Sequence, residues 1–109
     1  MTAAPIVHFD VTGPDDGALR AFYAEVFGWE VVDKGPGYAL VTTPALRGAI
    51  VEGESPSVSF GVGVPDLDAA VAAAVANGAE VVMPPTDNGW VTKAQVADPC
   101  GNLLTLIQS

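Results

Sequence analysis

The chain has 109 residues, half of them hydrophobic, with four basic and 13 acidic residues and a formal net charge of −9. That length suits one domain with a real core, and the negative charge repels nucleic acid and anionic membranes at long range, so neither is expected as a partner. No apolar run approaches the roughly 20 residues that span a bilayer, and the opening Met1-Thr2-Ala3-Ala4-Pro5 lacks the basic start of a signal peptide, so a soluble cytoplasmic protein is expected.

From Ile6 to Thr12 the residues alternate, which predicts a strand with Val7, Phe9 and Val11 on one face and His8, Asp10 and Thr12 on the other. Pro14, Asp15 and Asp16 then open a helix whose apolar stripe is Leu19, Phe22, Tyr23, Val26 and Phe27, with Gly28 as its left-handed stop. Three short strands follow, Trp29 to Val32, Tyr38 to Thr42 and Gly48 to Glu52, separated by the Gly35-Pro36-Gly37 turn and the Pro44 to Arg47 connection.

The second half repeats this plan. His8 maps to Ser59 and Asp15 to Asp66 at an offset of 51 (59 − 8, 66 − 15), and Gly28 maps to Gly78 at 50 (78 − 28), with one deletion inside the helix. Val58, Phe60, Val62 and Val64 repeat the helix-facing row, while Ser59, Gly61 and Gly63 replace the polar row with smaller groups. Asp66 caps an alanine-rich helix through Asn77, stopped by Gly78. Strands are predicted at Ala79 to Met83, Trp90 to Ala97 and Leu103 to Gln108, with a loop over Pro84 to Gly89 and a tight DPCGN turn from Asp98 to Asn102. A repeat of this period marks a duplicated unit that cannot bury its apolar face alone. The single Cys100 has no partner thiol for a disulfide or a zinc site, and reads as a turn residue.

The two βαβββ modules (5–54 and 56–109), the phrase FYAEVFGWEV after the first strand and DPCGN before the last together resemble the vicinal oxygen chelate superfamily of glyoxalases, bleomycin-resistance proteins and extradiol dioxygenases. FGW in particular resembles its actinobacterial glyoxalase-like branch. The resemblance implies an α+β fold in which both modules form a cup-shaped mixed sheet around a small-molecule site, with the helices outside. It also implies a homodimer, either side by side or with modules exchanged.

Metal-dependent relatives take one ligand from the first and one from the fourth strand of each module, usually two histidines and two carboxylates, a set suited to several divalent metals. Here His8 matches the first position, Ser59 and Thr105 replace ligands in the second module, and Glu52 or, if the alignment slips by one, Val51 takes the remaining place. No cofactor is therefore expected beyond a weak divalent metal at the residual candidates His8 and Glu52. An iron dioxygenase, which needs two histidines, is disfavoured by the single one present.

His8 has two readings of equal weight, a binding or proton-transfer residue in the cup or a vestigial ligand position. Asp10, two positions along the same face, would orient it, and direct pairing or a wet cup would spare both the cost of an unpaired buried charge. Glu52 reads as a lone carboxylate base or an exposed strand end. Tyr38, Trp90 and Thr92 would line the cup with Ser59 and Thr105, or serve packing instead. Arg20 and Glu25 read as solvated helix surface. The leading expectation is a small-molecule-binding protein of the bleomycin-resistance type with a degenerate metal site. The alternative is a glyoxalase-like lyase, isomerase or epimerase using His8 with Asp10 or Glu52 for proton transfer on a small carbonyl substrate. A dimerisation module with a collapsed cup is a third reading.

Overall fold

A computed structural model of the protein describes residues 3–109; Met1 and Thr2, part of the segment read above for a signal peptide, lie outside them. The fold is α+β, two helices and eight strands in the order β1 (Ile6–Gly13), α1 (Asp16–Phe27), β2 (Glu30–Asp33), β3 (Tyr38–Thr42), β4 (Arg47–Glu52), β5 (Ser57–Val64), α2 (Leu67–Ala76), β6 (Glu80–Asp87), β7 (Thr92–Ala97) and β8 (Leu103–Gln108). Both halves therefore have the βαβββ order expected of a duplicated unit. No helix among the described residues is long and apolar enough to cross a membrane.

The chain divides into two compact units, His8–Val58 and a second made of Ser59–Ser109 with the segment before His8. In the first unit, module one, the strand order is β2-β3-β4-β1, with β1 parallel to β4 and the other pairs antiparallel. The second, module two, repeats the pattern as β5-β8-β7-β6, with β5 parallel to β8. The intervening helix supplies the crossover that a parallel pair needs.

Each helix starts and stops where its sequence signals stand. Asp15 accepts a hydrogen bond from the Ala18 N–H at 3.0 Å and Asp66 from the Ala69 N–H at 3.1 Å, satisfying donors that the first turn leaves free. Gly28 ends α1 in the left-handed region at φ 69°, where a side chain would be strained.

In module one, Val11, Ala39, Val41 and Ile50 form the buried core, and Phe9, Leu19, Tyr23 and Trp29 pack on it from the helix side. In module two the corresponding core is Val64, Leu67, Ala94, Val96 and Leu106, covered by the small side chains of α2. The helix-facing rows read from strand alternation are thus the faces that meet the helices. β6 runs further than its sequence suggests, through Pro84 and Pro85 to Asp87. It is the outermost strand of its sheet and its pairing with β7 shifts register twice, the setting in which a strand tolerates residues without an N–H.

Candidate functional site

Strand register decides which side chains share the polar face of module one. His8, Asp10 and Thr12 on β1 stand beside Arg47, Ala49 and Val51 on β4, and those in turn beside Thr42, Leu40 and Tyr38 on β3. His8 Nε2 and Asp10 Oδ1 lie 3.1 Å apart, with side chains 28% and 25% exposed. A carboxylate can only accept, so in this pair the imidazole N–H at Nε2 donates, and a neutral His8 keeps Nδ1 as its acceptor. Asp10 thus fixes the tautomer of His8 by direct pairing, one of the two arrangements that avoid an isolated charge.

Glu52 does not join them. Its register partner is Gly13, while Val51 pairs with Thr12, and a one-residue step along a strand reverses the face. The pairing of His8 with Glu52, for metal or for proton transfer, is corrected accordingly: the residue beside this face is Val51. Glu52 instead lines a surface hollow of about 470 Å³ with Asp16, Arg20 and Asp33.

Arg20 is also more than a solvated helix residue. Its guanidinium contacts Asp16 at 3.0 Å and Asp33 at 3.1 Å, and donates to the carbonyls of Gly35 and Tyr38 at 3.2 and 3.1 Å. The planar fork of arginine thereby ties α1 to the β2–β3 turn. The Gly35 N–H, followed by the Arg20 side chain, holds the Asp33 carboxyl below its ordinary range.

In module two the face carrying Ser59 and Gly61 continues through Thr105 on β8 and Gln95 on β7. Thr105, in the position of a carboxylate ligand, is buried. Lys93 shares this face through its register partner Ile107, so alternation turns Thr92 to the opposite, helix-facing row with Ala94 and Val96. Trp90 is 86% exposed on the turn before β7. Neither Thr92 nor Trp90 therefore lines the face they were expected to line, whereas Tyr38 stands on the face of His8.

Arg47, expected in the connection before β4, and Lys93 also stand on these polar faces. Counting back by twos from Val51 and from Ala97 finds them, once each strand's parity is known. The chain's basic residues are Arg20, Lys34, Arg47 and Lys93, so two of the four lie on the polar faces of an otherwise acidic protein.

Residues 5–106 match the model of the Glyoxalase/Bleomycin resistance protein/Dioxygenase superfamily. The chain belongs to that superfamily. Among solved structures it is similar to a superfamily member from Vibrio splendidus 12B01, with 18% identity and a TM-score of 0.70 over 98% of this chain and 100% of that one. It is also similar to methylmalonyl-CoA epimerase from Mycobacterium tuberculosis (18% identity, TM-score 0.74, 99% and 92% covered). A third likeness is to the Streptomyces coelicolor methylmalonyl-CoA epimerase in complex with 2-nitronate-propionyl-CoA (21% identity, TM-score 0.69, 99% of both chains). These identities establish the shared fold. No curated protein matches the sequence.

The superfamily's metal chemistry can be tested against the donors present. Of the four ligand positions that the resemblance implies, module one would supply His8 and Val51, and module two Ser59 and Thr105. Valine has no donor, neutral hydroxyls are poor ligands for the metals this superfamily uses, and Asp10 is engaged by His8. No group of three or more His, Cys, Asp or Glu side chains gathers among the described residues. The donor set does not fit a tight metal centre.

Proposed function

We propose that the protein binds a small molecule on the polar face of module one, without a resident metal, and that His8 Nδ1 and Arg47 recognise an acidic or carbonyl-bearing group of that ligand. The observation that carries this reading is the His8–Asp10 pair at 3.1 Å: a tautomer-fixed imidazole on the face that the superfamily uses for small molecules, retained where the other ligand positions have lost their donors. Any divalent metal would associate weakly, through His8. The free, exposed Cys100 agrees with a cytoplasmic setting. A homodimer is supported by the exposed apolar row of α1, where Phe22, Val26 and Phe27 are 51%, 57% and 55% accessible.

Thermal-shift screening against small carboxylates, phosphates and acyl-CoA thioesters tests the binding reading. A ligand at 100 times its dissociation constant should add about 2.7 kcal/mol, and His8→Ala and Arg47→Met should each reduce that gain. Stabilisation by no member of such a library would defeat it.

Proton transfer by the same pair is the second reading, favoured by the structural likeness to two methylmalonyl-CoA epimerases. His8 paired to a carboxylate has the form of a general base. Exchange of the α-proton of methylmalonyl-CoA in deuterated water, followed by NMR, would reveal it, and exchange no faster than in His8→Ala would rule it out.

A further inference from the structure

The modules differ most in what fills the space between helix and sheet. In module one, Tyr23 stacks on Trp29 with ring centroids 5.4 Å apart and planes at 9°, and Phe27 packs on Trp29 at 5.2 Å. The repeat carries Leu19 and Tyr23 to Ala70 and Ala74 (offset 51; 70 − 19, 74 − 23), and Phe27 and Trp29 to Asn77 and Ala79 (offset 50; 77 − 27, 79 − 29). Packing agrees with that alignment, since Leu19, Tyr23 and Trp29 lie against the core of module one and Ala70, Ala74 and Ala79 against that of module two. All four of the smaller residues line a cleft of about 350 Å³ floored by Val96, Leu104 and Leu106. The aligned positions of the other copy carry Leu19 and three aromatic rings instead.

Replacing large by small side chains leaves a void wherever the surroundings do not close in. An apolar cavity of roughly 150 Å³ already takes a benzene ring, and small-molecule pockets begin at about 300 Å³. The rim adds a charge. Asp98 lines the cleft, which has no basic side chain in its lining. The Asn102 side-chain amide above all, with the backbone N–H groups of Asn102, Cys100 and Gly101, holds that carboxyl below its ordinary range, so it is an anion at neutral pH.

We infer that this cleft on the helix side of module two is a second ligand site, taking an aromatic ring that bears a protonated amine, with the ring against Ala74 and Ala79 and the ammonium at Asp98. It is distinct from the polar face of His8 and does not depend on the function proposed there.

Tryptamine is the probe and indole-3-acetate its charge-reversed control, followed through the methyl NMR signals of Ala70, Ala74 and Ala79 in the intact protein. Tryptamine should give saturable shifts, and indole-3-acetate should bind about tenfold more weakly because attraction to Asp98 becomes repulsion. Ala74→Phe restores a ring to the void and should abolish the shifts while the protein stays folded; Ala79→Val, a smaller filling, should weaken binding if the first variant does not fold. Asp98→Asn should weaken tryptamine about threefold. Absence of saturable shifts, or binding unchanged by both fillings, would overturn the inference. So would equal affinity for the two probes, or broadening of these methyls with protein concentration alone, which would give the cleft to a second copy.

Discussion

The ring of Phe9 occupies the space that a side chain at residue 48 would need. Three of its ring carbons lie within the van der Waals envelope of any Cβ built on Gly48, its register neighbour on β4. In module two the repeat puts Phe60 in the place of Phe9, and the β5–β8 register sets Leu104 alongside it. There the strand carries a side chain and Phe60 is 42% exposed. The ring beside the glycine is partly buried and the ring in the other copy is exposed.

Gly48→Ala should accordingly destabilise the protein by about 1–3 kcal/mol, the usual cost of overpacking. Urea denaturation of the single variants and of Gly48→Ala with Phe9→Leu would check this. The cost should shrink in the double variant, because the two residues compete for one volume; equal costs in both backgrounds would refute the contact.

Arg20→Met should cost about 1–3 kcal/mol, the worth of two ordinary hydrogen bonds, since the carbonyls of Gly35 and Tyr38 lose their side-chain donor and keep only the backbone N–H groups of Tyr38 and Lys34. Arg20→Lys should recover only part, as an ammonium cannot reproduce the fork that reaches two carboxylates and two carbonyls. Amide exchange at Gly35, Gly37 and Tyr38 should quicken in both. Unaltered exchange there would mean that Arg20 does not hold the turn.

Acid should act through Asp33 and Asp98. Both are depressed from an ordinary value of 3.8, Asp33 chiefly by the Gly35 N–H and then Arg20, and Asp98 chiefly by the Asn102 side chain. A carboxyl whose folded value is lowered contributes stability that is complete above the unfolded value and disappears as pH falls through the folded one. The loss therefore begins near pH 3.8 and runs downward. Melting temperature against pH should fall less steeply below about pH 4 in Asp98→Asn than in the parent; parallel curves would contradict the assignment.

Zinc, nickel or manganese should leave the melting temperature unchanged, and dialysed protein should carry no stoichiometric metal. A site filled at 100 times its dissociation constant would add about 2.7 kcal/mol, a shift easily seen in a domain of this size. Such a shift, abolished by His8→Ala, would mean that donors other than Val51, Ser59 and Thr105 complete a centre.

The repeated fold was legible because strand alternation, capping aspartates and the glycines at 28 and 78 are local signals. What escaped was set by parity or by distance along the chain. Glu52 and Val51 differ by one residue and so by a whole face, and only the pairing of β4 with β1 tells them apart. Thr92 turns to the helix-facing row, away from the face it was expected to line, for the same reason. Arg20 reads as surface until the β2–β3 turn, 13 to 18 residues away, brings Asp33, Gly35 and Tyr38 to it. The cleft beside α2 depends on how that helix packs against β7 and β8, which no local signal reports.

Pro84 and Pro85 bear on how copies of the chain would meet. An outermost strand offers unpaired N–H and C=O groups to any passing strand, but two consecutive residues of β6 have no N–H to give, and the register shifts around them break the row further. Joining sheets edge to edge at β6 is therefore blocked in the backbone itself. Any association between copies at this edge would fall to side chains, and aggregation by strand addition there is suppressed even when the protein is concentrated.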